Sequence, residues 1–372
     1  AERTHKCSFF CGNKPLRTFR FFAQKPNFAT SKRIPCQRKK KQENRKVKKN
    51  IAIVMGGYSS ERLISLQSGG VVYRHLDREK YNLYPIDISR QGWFYINDLE
   101  ERYPVDKNEF TVTVDGEKIH FDAVFNAIHG NPGENGLLQA YFELLGIRHT
   151  SCGHFESALT FNKRECIAVV RQYGIPTAKS VFMTQGDAVD ADAIVREVGL
   201  PCFVKPNRAG SSFGITKVYK KEELPAALEC AYKEDNEILI ESFLDGREVS
   251  VGTMRIDGKI TVLPITEIVS MNDFFDYKAK YEGLSKEITP ADLPAEVEAR
   301  IREASAKLFE KLNLRGVVRS EFILVDGVPH FLEVNTCPGL SAASIVPQQA
   351  RALGMELPEF FDCLVRQALE GK

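Results

Sequence analysis

Four polar side chains near the carboxyl end of the chain have the types and spacing of a cation site. In the stretch GVVRSEFILVDGVPHFLEVN, Arg319 and Glu321 share one face of a predicted strand, and Glu333 and Asn335 share one face of the next. A tight Asp-Gly turn between the strands would bring these faces together. Two carboxylates and an amide offer only oxygen ligands, the set that Mg²⁺ prefers beside nucleotide phosphates. The sequence therefore predicts a magnesium site on this hairpin.

A sharp turn and a hydroxyl follow the second of these strands. The segment LEVNTCPGLSAAS runs from Leu332 to Ser344. Its Pro-Gly turn is expected to aim backbone N–H groups and Ser344 toward the same end of the sheet. This makes the alternative, a solvated charged hairpin, less favoured than a site.

A loop of small residues earlier in the chain has the character of a phosphate-binding loop. The stretch NRAGSSFG, residues 207–214, lies between Lys205 and Lys217. Backbone N–H groups in such a loop can surround phosphate oxygens because no large side chain blocks the approach. It lacks the G-K-[ST] ending of a P-loop, so we interpret it as a glycine-rich hairpin lid over phosphates. The alternative is a flexible hairpin exposed to solvent.

The elements that must position these residues begin with alternating strands and helices. Buried strands are predicted for NIAIVMGG, YNLYPIDIS and FDAVFNAIHG. The first helix has apolar spacing at Leu63, Leu66 and Leu76 with serines suited to an N-cap, and LLQAYFELLG forms a second. A polar excursion from Trp93 to His120 contains a hairpin at residues 114–117. We expect a parallel, Rossmann-like domain whose ligands bind at the carboxyl ends of the strands.

Shorter strands follow from about residue 151, and the fold class is α/β. The predicted elements are a helix in FNKRECIAVVRQYG, the strands AKSVFMT, PCFVKP, GITKVY and ILIESFL, a hairpin through Asp257-Gly258 and a helix from Ala295 to Lys311. We predict a basic, unfolded leader over residues 1–46, a first domain over 47–150, a central subdomain over 151–241 and a carboxyl-terminal subdomain over 242–372.

Composition limits the class of protein. The 372 residues are 43% hydrophobic and 27% charged, as in a globular protein, and no run of about eighteen apolar residues predicts a membrane span. Residues 1–50 carry 16 Lys and Arg against 2 Asp and Glu, whereas residues 51–372 carry 35 against 47. The nine scattered cysteines include no C-x-x-C pair, which favours reduced thiols over a zinc site or a disulfide framework.

The basic leader leaves several interpretations open. It lacks the continuous apolar segment of a secretory signal. A nucleic-acid or membrane-binding arm, an organelle transit peptide and a start placed too far upstream of Val47 all fit its composition. We favour the last and expect no nucleic-acid or membrane partner.

Six segments together resemble one family. MGGYSSERLISLQSG, AIHGNPGENGLLQAYFELLGI, VKPNRAGSSFGITKV, YKAKY, RGVVRSEF and EVNTCPGLSAASIVP resemble D-alanine:D-alanine ligase of the ATP-grasp superfamily, in order, over Lys48 to Leu369. The resemblance implies a three-domain ATP-grasp fold, ATP between the second and third domains, and two Mg²⁺ ions, for which Mn²⁺ could substitute. It also implies that ATP phosphorylates one D-alanine, that the amine of a second attacks the acylphosphate, and that the dipeptide enters peptidoglycan. We expect a cytoplasmic homodimer.

The resemblance also implies roles for individual residues on the substrate side. Glu61 resembles the carboxylate that holds the ammonium of the first D-alanine, and His129 a histidine near the same substrate. Ser211 resembles the serine that links Glu61 to Tyr281 by hydrogen bonds and closes the lid. Considered alone, His129 would more often be structural, and Glu61 could owe its place to the helix dipole.

The nucleotide and the transition state have their own implied residues. Those implied for ATP are Lys163, Lys205, Ser211, Ser212, Glu241, Phe243, Leu244, Glu248 and Lys280. Glu321, Glu333 and Asn335 resemble the magnesium ligands, with Glu333 bridging both ions. Glu321 stands where we expect aspartate, so its carboxylate reaches one methylene further. Arg319 and the Gly339 N–H resemble an oxyanion hole, and Ser344 the hydroxyl that fixes the carboxylate of the second D-alanine.

Four alternatives stay open at this point. Tyr281 in its YKAKY context favours D-alanine over D-lactate or D-serine as acceptor, because its hydroxyl can complete the network with Glu61 and Ser211. Another carboxylate–amine ligase of the superfamily would lack that set of three. A nucleotide-binding protein without catalysis should have lost Arg319 or a metal ligand, and an RNA binder would use the basic leader.

Overall fold

Seven strands form the first sheet of this computed structural model, which describes residues 47–210, 213–270 and 285–371. The strands are β1 (Lys49–Gly56), β2 (Tyr81–Ser89), β3 (Gly92–Ile96), β4 (Arg102–Asp106), β5 (Thr111–Val114), β6 (Glu117–Ile119) and β7 (Ala123–Asn126), in the order β6-β5-β4-β3-β2-β1-β7. β1 pairs in parallel with β2 and β7, and β2 to β6 continue as antiparallel neighbours. The predicted polar excursion after Trp93 is therefore four strands that widen the sheet, and its predicted hairpin joins β5 to β6.

Helix α1 (Arg62–His75) covers this sheet with small residues, and of the three predicted leucines Leu66 and Leu76 pack in the core. Leu63 is 70% exposed, whereas Ser65, Ser68 and Gly69 are buried. A Cβ at Gly69 would lie 2.7 Å from the Cβ of Met55, so the helix lies too close to β1 for a larger residue. The predicted serine N-cap was wrong too, because Glu61 holds that position without a side-chain capping bond.

The second sheet has four antiparallel strands. They are β8 (Ser180–Thr184), β9 (Cys202–Pro206), β10 (Thr216–Val218) and β11 (Glu237–Ser242), in the order β10-β9-β11-β8. The helices of this part and the preceding one are α2 (Leu137–Leu144), α3 (His154–Phe161), α4 (Lys163–Gln172), α5 (Ala191–Val198), a 3₁₀ turn at Lys221–Glu223 and α6 (Leu224–Ala231). Asn162 separates α3 from α4, so α4 begins at Lys163.

The third sheet carries the predicted hairpin. Its strands are β12 (Arg247–Ile256), β13 (Lys259–Val262), β14 (Thr266–Ser270), β15 (Ser285–Ile288), β16 (Val317–Val325) and β17 (Val328–Asn335), in the order β15-β14-β12-β16-β17 with β13 paired to β12. Helices α7 (Ala295–Lys311), α8 (Ile345–Ala352) and α9 (Leu357–Glu370) complete the chain. The predicted bounds of α7 and the turn at Asp257-Gly258 are confirmed.

The core under the first sheet is shared with the carboxyl-terminal end of the chain. Ile51 and Phe125 of the first sheet belong to one buried cluster with Phe360 and Phe361 of α9. The rings of Phe125 and Phe361 meet edge to face with centroids 5.8 Å apart. The division of the chain into domains at residues 46, 150 and 241 stays a prediction. None of the helices in the described ranges has the length and apolar character of a membrane span.

Candidate active site

The strands β16 and β17 bring the predicted acids together through a bulge. Near the turn the pairing is regular, with Phe322 opposite Phe331. The register then shifts, so that Glu321 lies opposite Glu333, and Arg319 opposite Asn335. Continued without the shift, the register would place Glu321 opposite Leu332 and turn Glu333 to the other face. The predicted convergence is confirmed, but it depends on this bulge.

Each acid of the hairpin is compensated by a cation. Arg319 donates from Nε and its terminal nitrogen to Glu321 Oε1, at 3.0 and 2.7 Å. Lys163 Nζ lies 3.2 Å from Glu333 Oε2. Burial acts to lower the pKa of both basic groups. The negative charges of Glu321 and Glu333 outweigh it for Arg319, and the charge of Glu333 outweighs it for Lys163. Both pKa values are therefore raised. Both cations therefore stay charged at neutral pH.

The donor set on this hairpin fits the implied magnesium ions. Glu321 is 4% exposed, and its position in the sheet holds it at the cavity. Asn335 Nδ2 lies 3.4 Å from Glu333 Oε1. Because Nδ2 faces the carboxylate, Oδ1 is the atom of Asn335 that would bind a cation. Within the described ranges no three His, Cys, Asp or Glu side chains cluster as metal ligands. Phosphate oxygens would complete the coordination, as Mg²⁺ commonly requires.

The start of α4 is tied to the phosphate loop. Lys163 Nζ donates to the carbonyl of Ala209 at 2.9 Å, and the Lys163 N–H donates to the carbonyl of Asn207 at 3.2 Å. The Asn207 side chain accepts from the Arg164 N–H at 2.8 Å and donates to Asn162 at 2.9 Å. These bonds place Lys163, a helix N-terminus and the loop at one edge of the cavity.

Lys205 and Glu241, predicted for the phosphates and the adenine, form a buried ion pair across β9 and β11. Their side chains are 7% and 5% exposed. The Phe203 and Phe243 rings lie nearby with centroids 6.2 Å apart, and Lys217 Nζ lies 4.2 Å from the centroid of Phe243. This edge offers aromatic faces and charges suited to a purine.

The remaining nucleotide residues are less closely grouped. Leu244 is half-buried directly after Phe243. Glu248 lies half-buried on β12, opposite Ile268 and Ile323. Ser211, Ser212, Lys280 and Tyr281 lie outside the described residues, so their predicted roles stay predictions.

The carboxylate of Glu61 fits between two glycines. A Cβ at Gly130 or at Gly210 would lie 2.8 Å from Glu61 Oε2. A side chain at either position would displace the carboxylate, so glycine at both makes room for it. Glu61 thus meets the strand-end loop of the first sheet on one side and the phosphate loop on the other.

Sequence reasoning overlooked Glu134 and the full set of contacts of His129. His129 Nδ1 lies 2.8 Å from the Cys337 carbonyl and Nε2 lies 2.9 Å from Ser68 Oγ. Glu134 accepts from the Gly130 N–H at 3.0 Å and the Cys337 N–H at 3.4 Å. Burial, and then the charge of Glu61, raise the pKa of Glu134 to about 7. Its place in the loop that follows β7 was the available signal.

One cavity of about 440 Å³ collects most of these groups. Its lining includes Glu61, Lys163, Arg319, Glu333, Gly339 and Ser344. Ser344 Oγ lies 2.8 Å from Ser341 Oγ. A Cβ at Gly339 would also lie 2.8 Å from Ser344 Oγ. A larger cavity of about 1030 Å³ lies elsewhere, beside Arg255 and Arg366, and has none of the predicted site residues in its lining.

Comparison with known protein families identifies the family to which this chain belongs. The family models described as D-ala D-ala ligase N-terminus and C-terminus match residues 50–152 and 169–366. The chain belongs to the D-alanine–D-alanine ligase family. As a family member it contains both halves in order, and the predicted ATP-grasp fold is confirmed.

Curated relatives agree with this membership. The D-alanine–D-alanine ligase of Flavobacterium johnsoniae is 57% identical over 86% of this chain and 99% of its own length. That of Christiangramia forsetii is 51% identical over 88% of this chain and 100% of its own length.

Solved structures of the ligase family share the fold. The VanG D-Ala:D-Ser ligase of Enterococcus faecalis has a TM-score of 0.76 and 33% identity, covering 86% of this chain and 99% of that one. D-alanyl-alanine synthetase A of Vibrio cholerae has a TM-score of 0.78 and 29% identity, covering 87% and 99%. The fold thus occurs in ligases that differ in their second substrate.

Proposed function

We propose that this chain condenses two D-alanine molecules to D-alanyl-D-alanine while ATP becomes ADP and phosphate, for the synthesis of peptidoglycan precursors. Family membership supports the reaction and the use of ATP. The observation that carries the assignment to this cavity is that Lys163, Arg319 and Glu333 lie in one space with Glu61 and the Gly339 loop.

Charge complementarity supports a first step in which the γ-phosphoryl group moves to the carboxylate of the first D-alanine. Lys163 and Lys205 hold phosphate oxygens, and the N-terminus of α4 adds its N–H groups. Glu321, Glu333 and Asn335 would hold two Mg²⁺ ions, which when bound neutralise charge on the phosphates. Glu61 binds the ammonium of this D-alanine and so orients its carboxylate.

The second step forms the peptide bond. The amine of the second D-alanine attacks the carbonyl carbon of D-alanyl phosphate, the amine loses a proton, and phosphate leaves. Arg319 and the Gly339 N–H bind the oxygen on which negative charge develops, a contribution of about 3 to 4 kcal/mol per donor in comparable sites. Ser344, at the start of α8, binds the carboxylate of the acceptor.

The identity of the acceptor substrate has an alternative assignment. A solved relative of similar fold is titled a D-Ala:D-Ser ligase, so D-serine is the second candidate. The predicted lid residue Tyr281 favours D-alanine, because its hydroxyl would complete a network with Glu61 and Ser211.

Phosphate release tests the reaction and the acceptor together. The purified chain is given ATP and Mg²⁺ with D-alanine alone, D-alanine plus D-serine or D-lactate, L-alanine, or no substrate, and products are identified by mass. We expect release with D-alanine and the mass of the dipeptide. Faster formation of the mixed product at neutral pH would reassign the acceptor, and no stimulation by D-alanine would reject the function.

We further propose that the enzyme is a cytoplasmic homodimer that binds neither nucleic acid nor membrane. The six cysteines in the described ranges are free thiols, five of them buried, which favours a reducing compartment. Leu137, Leu144 and Phe155 are exposed on α2 and α3, and a second copy could cover them. Light scattering gives the mass, and Leu144→Glu should reduce it to that of a monomer.

A further inference from the structure

The loop that carries Gly339 is fastened to the first sheet by two side chains distant in sequence. We propose that Ser68 and His129 are positioning residues, which hold residues 337–340 so that the Gly339 N–H faces the developing oxyanion. This inference rests on the proposed function, because it assigns a purpose to that N–H. The role of His129 as a substrate contact stays a prediction, and the residue also lines the cavity.

The directions of the hydrogen bonds follow from the partners of His129. The Cys337 carbonyl can only accept, so Nδ1 carries the proton and donates to it over 2.8 Å. Burial lowers the pKa of His129, with Glu61 opposing the effect, so the ring is neutral. Nε2 therefore accepts from the Ser68 hydroxyl over 2.9 Å. Ser68 Oγ in turn accepts the Leu340 N–H over 3.3 Å, which closes a chain of three directed bonds.

These three hydrogen bonds, together with one to Glu134, fix the residues on both sides of Gly339. On one side, Cys337 has its carbonyl bound by His129 and its N–H bound by Glu134 at 3.4 Å. On the other side, Leu340 has its N–H bound by Ser68. Pro338 has no N–H, and the Gly339 N–H meets no acceptor among residues 47–210, 213–270 and 285–371. The one N–H of this segment left for a ligand is therefore held in a defined orientation.

Preorganised donors stabilise a transition state because they need no reorientation as charge develops. The two side chains that supply this rigidity come from α1 and from the loop after β7, not from the sheet that carries the metal ligands. Loss of either bond would let Gly339 move. The effect should fall on turnover rather than on substrate affinity.

Helix α1 offers a matched control for Ser68. Ser65 lies one turn earlier, is equally buried, and binds the Gly56 N–H and the Ala127 carbonyl, both at 2.8 Å, without reaching the loop. Ser68→Ala and Ser65→Ala thus remove comparable buried hydroxyls. In the full chain with ATP and D-alanine, we expect Ser68→Ala to lower kcat at least tenfold with KM for ATP within twofold of wild type. We expect Ser65→Ala to keep kcat within threefold.

A tetrahedral probe separates positioning from a general loss of structure. A phosphinate dipeptide analogue has a tetrahedral centre where the peptide carbonyl would be, and it should bind Ser68→Ala more weakly by the same factor as kcat falls, with ADP affinity unchanged. A kcat loss no greater than that of Ser65→Ala would overturn the proposal. Wild-type dipeptide formation, measured alongside, tests the proposed function separately.

Substitutions of His129 give a second test should Ser68→Ala fail to fold. Asn in place of His can still donate to the Cys337 carbonyl from near the position of Nδ1, whereas Ala cannot. We expect His129→Asn to keep at least tenfold more turnover than His129→Ala, with equal KM values for D-alanine. Equal turnover of the two variants, or a KM change alone, would contradict a positioning role.

Discussion

Arg319 lies at the centre of the site's charge balance. It pairs with Glu321 at 2.7 Å, and the charge of Glu333 also contributes to its raised pKa. Glu321 is 4% exposed, so water cannot replace this partner at low cost. A single arginine thus compensates a buried acid and, in the proposed mechanism, also supplies a donor to the transition state.

Substitution of Arg319 should therefore cost both stability and turnover. We expect Arg319→Ala to lower the free energy of unfolding by about 3 kcal/mol or more, because Glu321 loses its partner, and kcat by about 10²- to 10³-fold. Arg319→Lys should recover most of the stability but little turnover, since an ammonium lacks the planar fork. Urea unfolding and steady-state kinetics measure the two effects. Equal recovery of both would contradict the dual role.

Glu134 should make stability depend on pH. Its folded pKa of about 7 lies above the unfolded value near 4.5, because burial and then the charge of Glu61 favour the protonated form. Below pH 4.5 the carboxyl is protonated in both the folded and the unfolded state, and its full contribution to the free energy of unfolding is present. This contribution is lost as pH rises from 4.5 through 7, because the unfolded state releases the proton more readily than the folded state.

The matched variant for this pH effect is Glu134→Gln, which cannot ionise. Without nucleotide or D-alanine, it should gain up to about 3 kcal/mol in unfolding free energy relative to wild type between pH 4.5 and 8. Urea unfolding across this range measures the difference. A difference that stays constant with pH would show that Glu134 titrates normally.

At the scale of elements, the hairpin of β16 and β17 shows what sequence could and could not predict. Alternating residues and an Asp-Gly turn indicated both strands and the faces of Arg319 and Glu321. With a regular two-residue turn and no bulge, Glu333 would lie on the opposite face of the sheet from Glu321. The bulge opposite Glu321 places both acids on the same face. Bulges depend on packing across the sheet, which a single strand's pattern does not contain.

Long-range partners limited the prediction in the same way. The strands and α7 were predictable because their apolar periodicity is local. The buried face of α1 was predicted only in part: Leu66 and Leu76 pack in the core, but the close approach to Met55 that requires Gly69 has no local signal. The contact between His129 and Cys337 spans 208 residues and has no local signature, so a structural role and a substrate contact could not be separated.

The N-cap of α4 positions a residue of the candidate site. Asn162 accepts the Glu165 N–H at 3.1 Å and starts the helix whose first residue is Lys163. Asn162→Ala should cost about 1 kcal/mol of stability and raise KM for ATP several-fold, because Lys163 loses its fixed position. Asp190 caps α5 in the same manner at 2.9 Å, away from the cavity. Asp190→Ala should cost similar stability and leave KM for ATP unchanged; equal KM values in both variants would contradict the link.

The last helix, α9, belongs to the core of the first sheet. Phe361 is fully buried against Phe125, and Tyr81 of β2 donates to Asp362 of α9 at 3.0 Å. The strands β1, β2 and β7 of the first sheet and the final helix therefore form one hydrophobic unit.

Truncation of Phe361 should consequently destabilise the first sheet. Phe361→Ala is expected to lower the free energy of unfolding by about 3 to 5 kcal/mol. Trp93, the single tryptophan, lies on β3 and reports on that sheet by fluorescence, while far-ultraviolet circular dichroism reports on the whole chain. Both urea midpoints should fall together. An unchanged Trp93 transition would show that the first sheet is stable without α9.

The same shared core sets a condition on synthesis at the ribosome. Tyr81 and Asp362 are 281 residues apart, an interval that takes on the order of 15 to 60 s at roughly 5–20 residues per second. Until α9 emerges, α1 covers part of this apolar face of the first sheet, but Phe125 lacks its partner Phe361. The part of the core around Phe125 therefore closes only after the end of the same polypeptide has been made.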